Sequence, residues 1–139
     1  MQEKWIRWEP TNNLSKKYYV ESISEDIKDK YKILLTNAEN NKNKILISWP
    51  IGVDAHRSTD ESYTLATINF LDNQYGPEFY ANWTFFKIEN SNYLKWLSDQ
   101  SYGISDDCNL THFCILAVDS MIDIINNYDP TITIIDENE

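Results

Sequence analysis

The chain has 139 residues and a formal charge of −10, with 22 acidic against 12 basic side chains. That length suits one domain. The charge balance opposes direct binding to nucleic acid or to an anionic lipid surface, and no run approaches the roughly 20 apolar residues that a membrane-spanning helix needs. Hydrophobic residues at 42%, with five Trp and nine Tyr, supply enough apolar surface for a packed core rather than a disordered chain.

From the start, Met1 to Pro10 lacks the charged, apolar, small-residue order of a secretory signal, so a cytoplasmic location is expected. Trp5, Ile6 and Trp8, stopped by Pro10, suit a first strand. Tyr18 to Ile23, for which a helix is the alternative, Tyr31 to Leu35 and Ile45 to Trp49 read as further strands of an antiparallel meander, separated by the charged stretch around Glu25 to Lys30 and the polar run Asn37 to Lys44. Ser58-Thr59-Asp60-Glu61 has capping-box spacing, and Leu65, Ile68, Leu71 and Tyr75 recur at helical intervals up to a stop at Gly76, with a strand as the alternative from the alternation of Thr64, Ala66 and Ile68. The density of aromatic and β-branched residues makes Trp83 to Ile88 the clearest strand. Asn90-Ser91 then caps a helix whose buried face is Tyr93, Leu94, Trp96 and Leu97. Thr111 to Val118 reads as a strand, Asp119 or Ser120 as the cap of a short helix through Asn127, and Thr131 to Ile135 as the last strand after Pro130. A frayed acidic tail occupies 136–139. Strands first, then strand and helix in alternation, imply one α+β domain over 1–139, with a mixed, largely antiparallel sheet and about three helices packed on it.

The sharpest polar cluster is Asp54, His56, Arg57, Asp60 and Glu61, which places a base, an acid and a cation within eight positions. A small hydrolase using Asp54 and His56 is one reading. The plainer one is that Asp60 and Glu61 favour a helix start while Arg57 pairs locally. No glycine pattern of a nucleophile elbow surrounds any serine, so no catalytic residue is assigned. Cys108, His112 and Cys114 are soft ligands, but a structural zinc site needs a fourth, and a small buried thiol beside a half-buried imidazole is the expected outcome. Both cysteines are read as reduced thiols. Gly52, Gly76 and Gly103 lie too far apart to cradle a phosphate, and no metal or cofactor is assigned. Tyr63, Tyr75, Tyr80, Tyr93 and Tyr102 border acidic or polar segments. Large aromatics there either serve an interface or fill a core short of Ala and Gly.

With Trp83 to Leu97 and Ser101-Tyr102-Gly103-Ile104 in view, the chain resembles small proteins of Gram-positive bacteria, some of which look like immunity proteins encoded beside secreted toxins. The likeness covers the second half and Val53 to Glu61, through mostly structural residues. It implies a cytoplasmic antitoxin that covers the active site of a toxin domain. For a basic toxin an acidic surface is the right complement. The expected contact residues are Asp54, Asp60 and Glu61, with Asp106 and Asp107 on a neighbouring loop and Tyr102 as an anchor. The alternatives are the Asp54/His56 hydrolase and a homodimeric structural or regulatory protein.

Overall fold

In the computed structural model the described residues, 2–137, run as β1 (Lys4–Arg7), β2 (Tyr18–Asp26), β3 (Lys30–Asn37), β4 (Asn43–Trp49), β5 (Ala55–Asp60), α1 (Leu65–Tyr75), α2 (Glu78–Ala81), β6 (Phe85–Glu89), α3 (Asn92–Gln100), β7 (Thr111–Leu116), β8 (Ser120–Asn126) and β9 (Thr131–Asp136). Single 3₁₀ turns occupy Glu61–Tyr63 and Ile104–Asp107. The α+β class expected from the sequence is present, but the strands form two sheets rather than one. Their orders are β1-β6-β7-β8-β5 and β2-β3-β4-β9, and every pairing is antiparallel rather than mixed.

Burial patterns explain the division. In β3 and β4 alternate residues are buried, namely Tyr31, Ile33 and Leu35, and Ile45, Ile47 and Trp49. Each strand therefore has one wet face and one dry face. β7 and β8 are buried almost without interruption, because their sheet is the middle of three layers. On one side Phe113, Ile115, Ile122 and Ile124 meet the dry face of β3 and β4. On the other, Phe86, Ile88, Cys114, Leu116 and Met121 meet Leu71 of α1, with Ile68, Phe70 and Phe79 packed around them. Two apolar layers on either side of one sheet supply the burial that stabilises the domain, each large side chain contributing about 1.5–3 kcal/mol.

Of the tail expected to fray at 136–139, Asp136 ends β9 opposite Asn43 and the Glu137 N–H donates to the Lys42 carbonyl at 2.8 Å, while 138–139 lie outside the described residues. Two further stretches differ from the sequence expectation. Ser120 to Asn126 is a strand, not a helix, and Asp119 and Ser120 belong to the tight turn of the β7–β8 hairpin, where the Ala117 N–H donates to the Ser120 carbonyl at 2.9 Å. The β-branched set Ile122, Ile124 and Ile125 fits the pleat between two covered faces, and that packing outweighs local helix signals. Ala55 to Asp60 is likewise an edge strand, set by its full register against β8 from Ala55↔Ile125 to Asp60↔Ser120. The apparent capping box accordingly serves only the 3₁₀ turn, where Asp60 accepts from the Ser62 N–H. α1 starts later, at Leu65, with no side-chain cap. The stop at Gly76 is present, with φ 89° and its N–H on the Asp72 carbonyl. Ser91 caps α3 as expected, accepting from Leu94 N–H at 3.1 Å.

Candidate functional site

The acidic residues singled out above fall into separate places. Asp54 and Asp60 stand at opposite ends of β5, about 20 Å apart at some 3.3 Å per residue. Both are exposed. The Asp60 carboxyl is held below its ordinary range, chiefly by the Ser62 hydroxyl and then by its N–H. Glu61 lines a cavity together with Lys17, Leu65, Ile68, Tyr80 and Val118. Burial lowers the Lys17 ammonium to about 8, and it donates to the Trp83 and Leu116 carbonyls.

Tyr102, Asp106 and Asp107 are brought together on the short segment that links α3 to β7. The reason is local: α3 ends with the Gly103 N–H on the Ser98 carbonyl at 2.8 Å and the Tyr102 N–H on the Asp99 carbonyl at 3.4 Å. This paired pattern places one residue in the left-handed region, a position that glycine usually fills. Here it is Tyr102, at φ 52°, followed by Gly103 at φ 85°. A non-glycine residue held this way costs about 1–2 kcal/mol. The Tyr102 ring recovers nothing for the fold, because the residue is 98% exposed. Trp96, expected to be buried, is instead half-exposed on the outer side of α3, and Ile104 is exposed just beyond the turn. Tyr93 alone of the four expected residues is fully buried, while Leu94 and Leu97 are half-buried. Asp99, Asp106 and Asp107 are exposed among these apolar groups, and from 96 to 111 the chain has no Lys or Arg. The segment thus presents exposed apolar and acidic side chains, with the exposed cation Lys95 lining one cavity together with Asp106.

Beneath α3 lies a buried polar chain that sequence reasoning missed. Ser91 Oγ is 2.6 Å from His112 Nδ1, His112 Nε2 is 2.7 Å from Asp123 Oδ1, and Arg57 Nε donates to Asp123 Oδ2 at 2.9 Å. The Arg57 guanidinium lies 4.1 Å over the buried Tyr93 ring. Arg57 thus pairs with a strand 66 residues away rather than locally. Burial alone would raise the Asp123 carboxyl, but His112 and Arg57 more than offset it and hold the group below its ordinary value. The imidazole is fully rather than half-buried, and burial pushes the neighbouring Cys114 thiol well up. Cys108 is exposed on the loop.

Serine, histidine and aspartate in this order have the connectivity of an acyl-transfer triad. Burial gives the group a different role. Ser91 is only 4% exposed, and its oxygen already accepts the helix-capping Leu94 N–H. With the hydroxyl donating to Nδ1 and Nε2–H donating to Asp123, each of these polar atoms has a partner within the protein. The chain ties α3 to β7, β8 and β5.

His56 faces the other sheet, its ring 4.8 Å from that of Tyr31 and its Nε2 3.3 Å from Glu25. Its carboxylate partner is Glu25, not Asp54. Among the described residues no group of three His, Cys, Asp or Glu side chains is arranged to hold a metal.

Comparisons with protein-family models, curated proteins and solved structures find no match. Among the described residues no helix is long and apolar enough to cross a membrane. The geometry at the C-terminal end of α3 therefore carries the functional reading.

Proposed function

We propose that the chain is an acidic protein-binding domain of the immunity type, which neutralises a basic toxin domain in the cytoplasm by direct association. The observation that carries this reading is Tyr102. Its backbone sits where glycine is favoured, and its ring lies fully in solvent. Backbone strain of this kind clusters at functional sites, and of the described non-glycine residues that carry it Tyr102 is the one aromatic. Tyr and Trp are the commonest anchors of protein interfaces, because a large rigid surface is buried for little loss of side-chain freedom. Tyr102, Trp96 and Ile104 supply such anchors, and Asp99, Asp106 and Asp107 supply the complement to Lys and Arg on a partner. Carboxylates at the rim speed encounter and reject acidic competitors, while the apolar centre slows dissociation.

Asp60 and Glu61, with exposed Tyr63 and Leu65, make a second acidic and apolar patch at the far end of β5. Its anchors sit on ordinary backbone, so it ranks behind the α3 surface.

The test is calorimetric titration of the protein against the product of the adjacent reading frame, repeated across a salt series. The expected result is a one-to-one complex that weakens as salt rises. Charge reversal of Asp106 and Asp107 to Lys should reduce affinity by about tenfold or more, chiefly through slower association. An equal affinity in the reversed variant would remove this surface from the interaction.

A further inference from the structure

Two sheets leave four edge strands, and an edge with free N–H and C=O groups is a template for another strand unless the sequence protects it. Three of the four are protected. β1 carries Lys4 and Arg7, and the Arg7 guanidinium reaches the Phe79 and Glu78 carbonyls. β2 is bulged between Val20 and Ser22 and carries Glu21, Glu25 and Asp26. β5 carries His56, Arg57 and Asp60. β9 differs: its only charge is the terminal Asp136, and Thr131-Ile132-Thr133-Ile134-Ile135 before it is wholly β-branched and uncharged, with Ile134 56% exposed.

We propose that β9 pairs with β9 of a second copy of this chain, joining the two four-stranded sheets into one across a twofold axis. The hydrogen-bond parity of the strand sets the register. Glu137 N–H donates to the Lys42 carbonyl at 2.8 Å, just beyond the Asn43↔Asp136 pair. In an antiparallel ladder such bonds recur at every second residue. Thr131, Thr133 and Ile135 therefore face β4 with their N–H and C=O groups, and those of Ile132 and Ile134 point outward. Antiparallel pairing through these outward groups centres the axis on Thr133. Ile132 of each copy then exchanges both backbone bonds with Ile134 of the other.

Side chains agree with that register. Ile132 and Ile134 lie opposite Ile47 and Ile45 on the face towards the other sheet, where Ile132 already packs on the core. In the pair each exposed Ile134 comes to rest beside a half-buried Ile132, a favourable β-branched cross-strand contact. A second copy suits this strand because like meets like without an unpaired charge along its uncharged length. At the ends Asp129 of one copy faces Glu137 of the other. Lys87 lies 3.4 Å from Asp129 and Lys44 lies 3.5 Å from Glu137, which tempers the repulsion. This inference is independent of the toxin-binding reading, since β9 shares no residue with the α3 surface.

The experiment is sedimentation velocity on the full chain from about 10 µM to about 1 mM, the range in which small interfaces form and dissolve. The expected result is a monomer–dimer equilibrium. Ile134→Lys adds the charge the other edges have, and Ile134→Pro removes one outward N–H per chain while sparing the bonds to β4. Each should weaken the dimer by about tenfold or more with the circular dichroism of the parent. If the proline variant loses structure, the lysine variant decides. A parent that stays monomeric throughout, or a dimer unaffected by Ile134→Lys, overturns the proposal.

Discussion

The two sides of α3 treat unusual residues in opposite ways. Beneath the helix, Ser91, His112 and Asp123 are polar groups in an apolar layer, and each is answered from within the protein at 2.6–2.9 Å, the last by the half-exposed Arg57. At its C-terminal end, Tyr102, Trp96 and Ile104 are apolar groups in solvent, and the exposed part of each contributes little to the core. Internal satisfaction marks residues that hold the fold, whereas the exposure of Tyr102 and Ile104, and of the side of Trp96 not stacked on Tyr93, is what the proposed function assigns to a partner. The comparison separates the two around one short helix, and each side can be broken alone.

The largest effect is expected at Asp123. Replacing it with Ala leaves His112 buried and Arg57 without its carboxylate. Removing one partner of a buried pair costs about 3–5 kcal/mol, and because the Arg57 side chain is half-exposed the lower end is expected, read as a fall in the denaturant midpoint. Acid should act through the same carboxyl. Its folded pKa lies below its ordinary value, so its stabilisation is complete above the unfolded value near 3.8 and is lost as pH falls through the lower folded value. Urea unfolding between about pH 5 and pH 2 should therefore show a steeper loss in the parent than in Asp123→Asn, which lacks that titration. A parallel loss in both would assign acid sensitivity elsewhere.

Ser91→Ala should cost less, about 1–2 kcal/mol, by removing the cap of α3 and the His112 contact together. Amide exchange of Leu94 and its neighbours should rise more than that of β3 or β4. Smaller again is Ile104→Ser, expected to shift stability by no more than about 0.5 kcal/mol while weakening the proposed partner complex. A large stability loss from Ile104→Ser would move that residue to the structural side of the comparison.

Much of this contrast was hidden in the sequence for physical reasons. The segment Trp83 to Leu97 was readable because its signals are local: aromatic strand, serine cap, helical spacing. The strand β5 was not. Ala-His-Arg-Ser-Thr-Asp shows no apolar alternation, and it is a strand because β8 pairs with it and Asp123 receives Arg57. Asp119 and Ser120 misled in turn, since either residue type can cap a helix, whereas here they close the β7–β8 turn with the Ala117 N–H on the Ser120 carbonyl. Ser91 and His112 meet across 21 residues, and His112 and Asp123 across 11, separations at which spacing carries no contact information. The carboxylates Asp106 and Asp107 were visible one by one, but Trp96 read as core because its helical spacing from Tyr93 is that of a buried face. The left-handed backbone of Tyr102 left a trace in Tyr-Gly after a helix, where glycine would have been expected one residue earlier.

The most direct test of the binding surface is Tyr102→Gly, measured for thermal stability and for affinity to the adjacent gene product in the same preparation. Glycine relieves the left-handed strain at the end of α3 and removes the exposed ring, so stability should rise by about 0.5–1 kcal/mol while affinity falls by about tenfold or more. Unchanged affinity, or a loss of stability, would contradict the claim that this tyrosine is kept for a partner rather than for the fold.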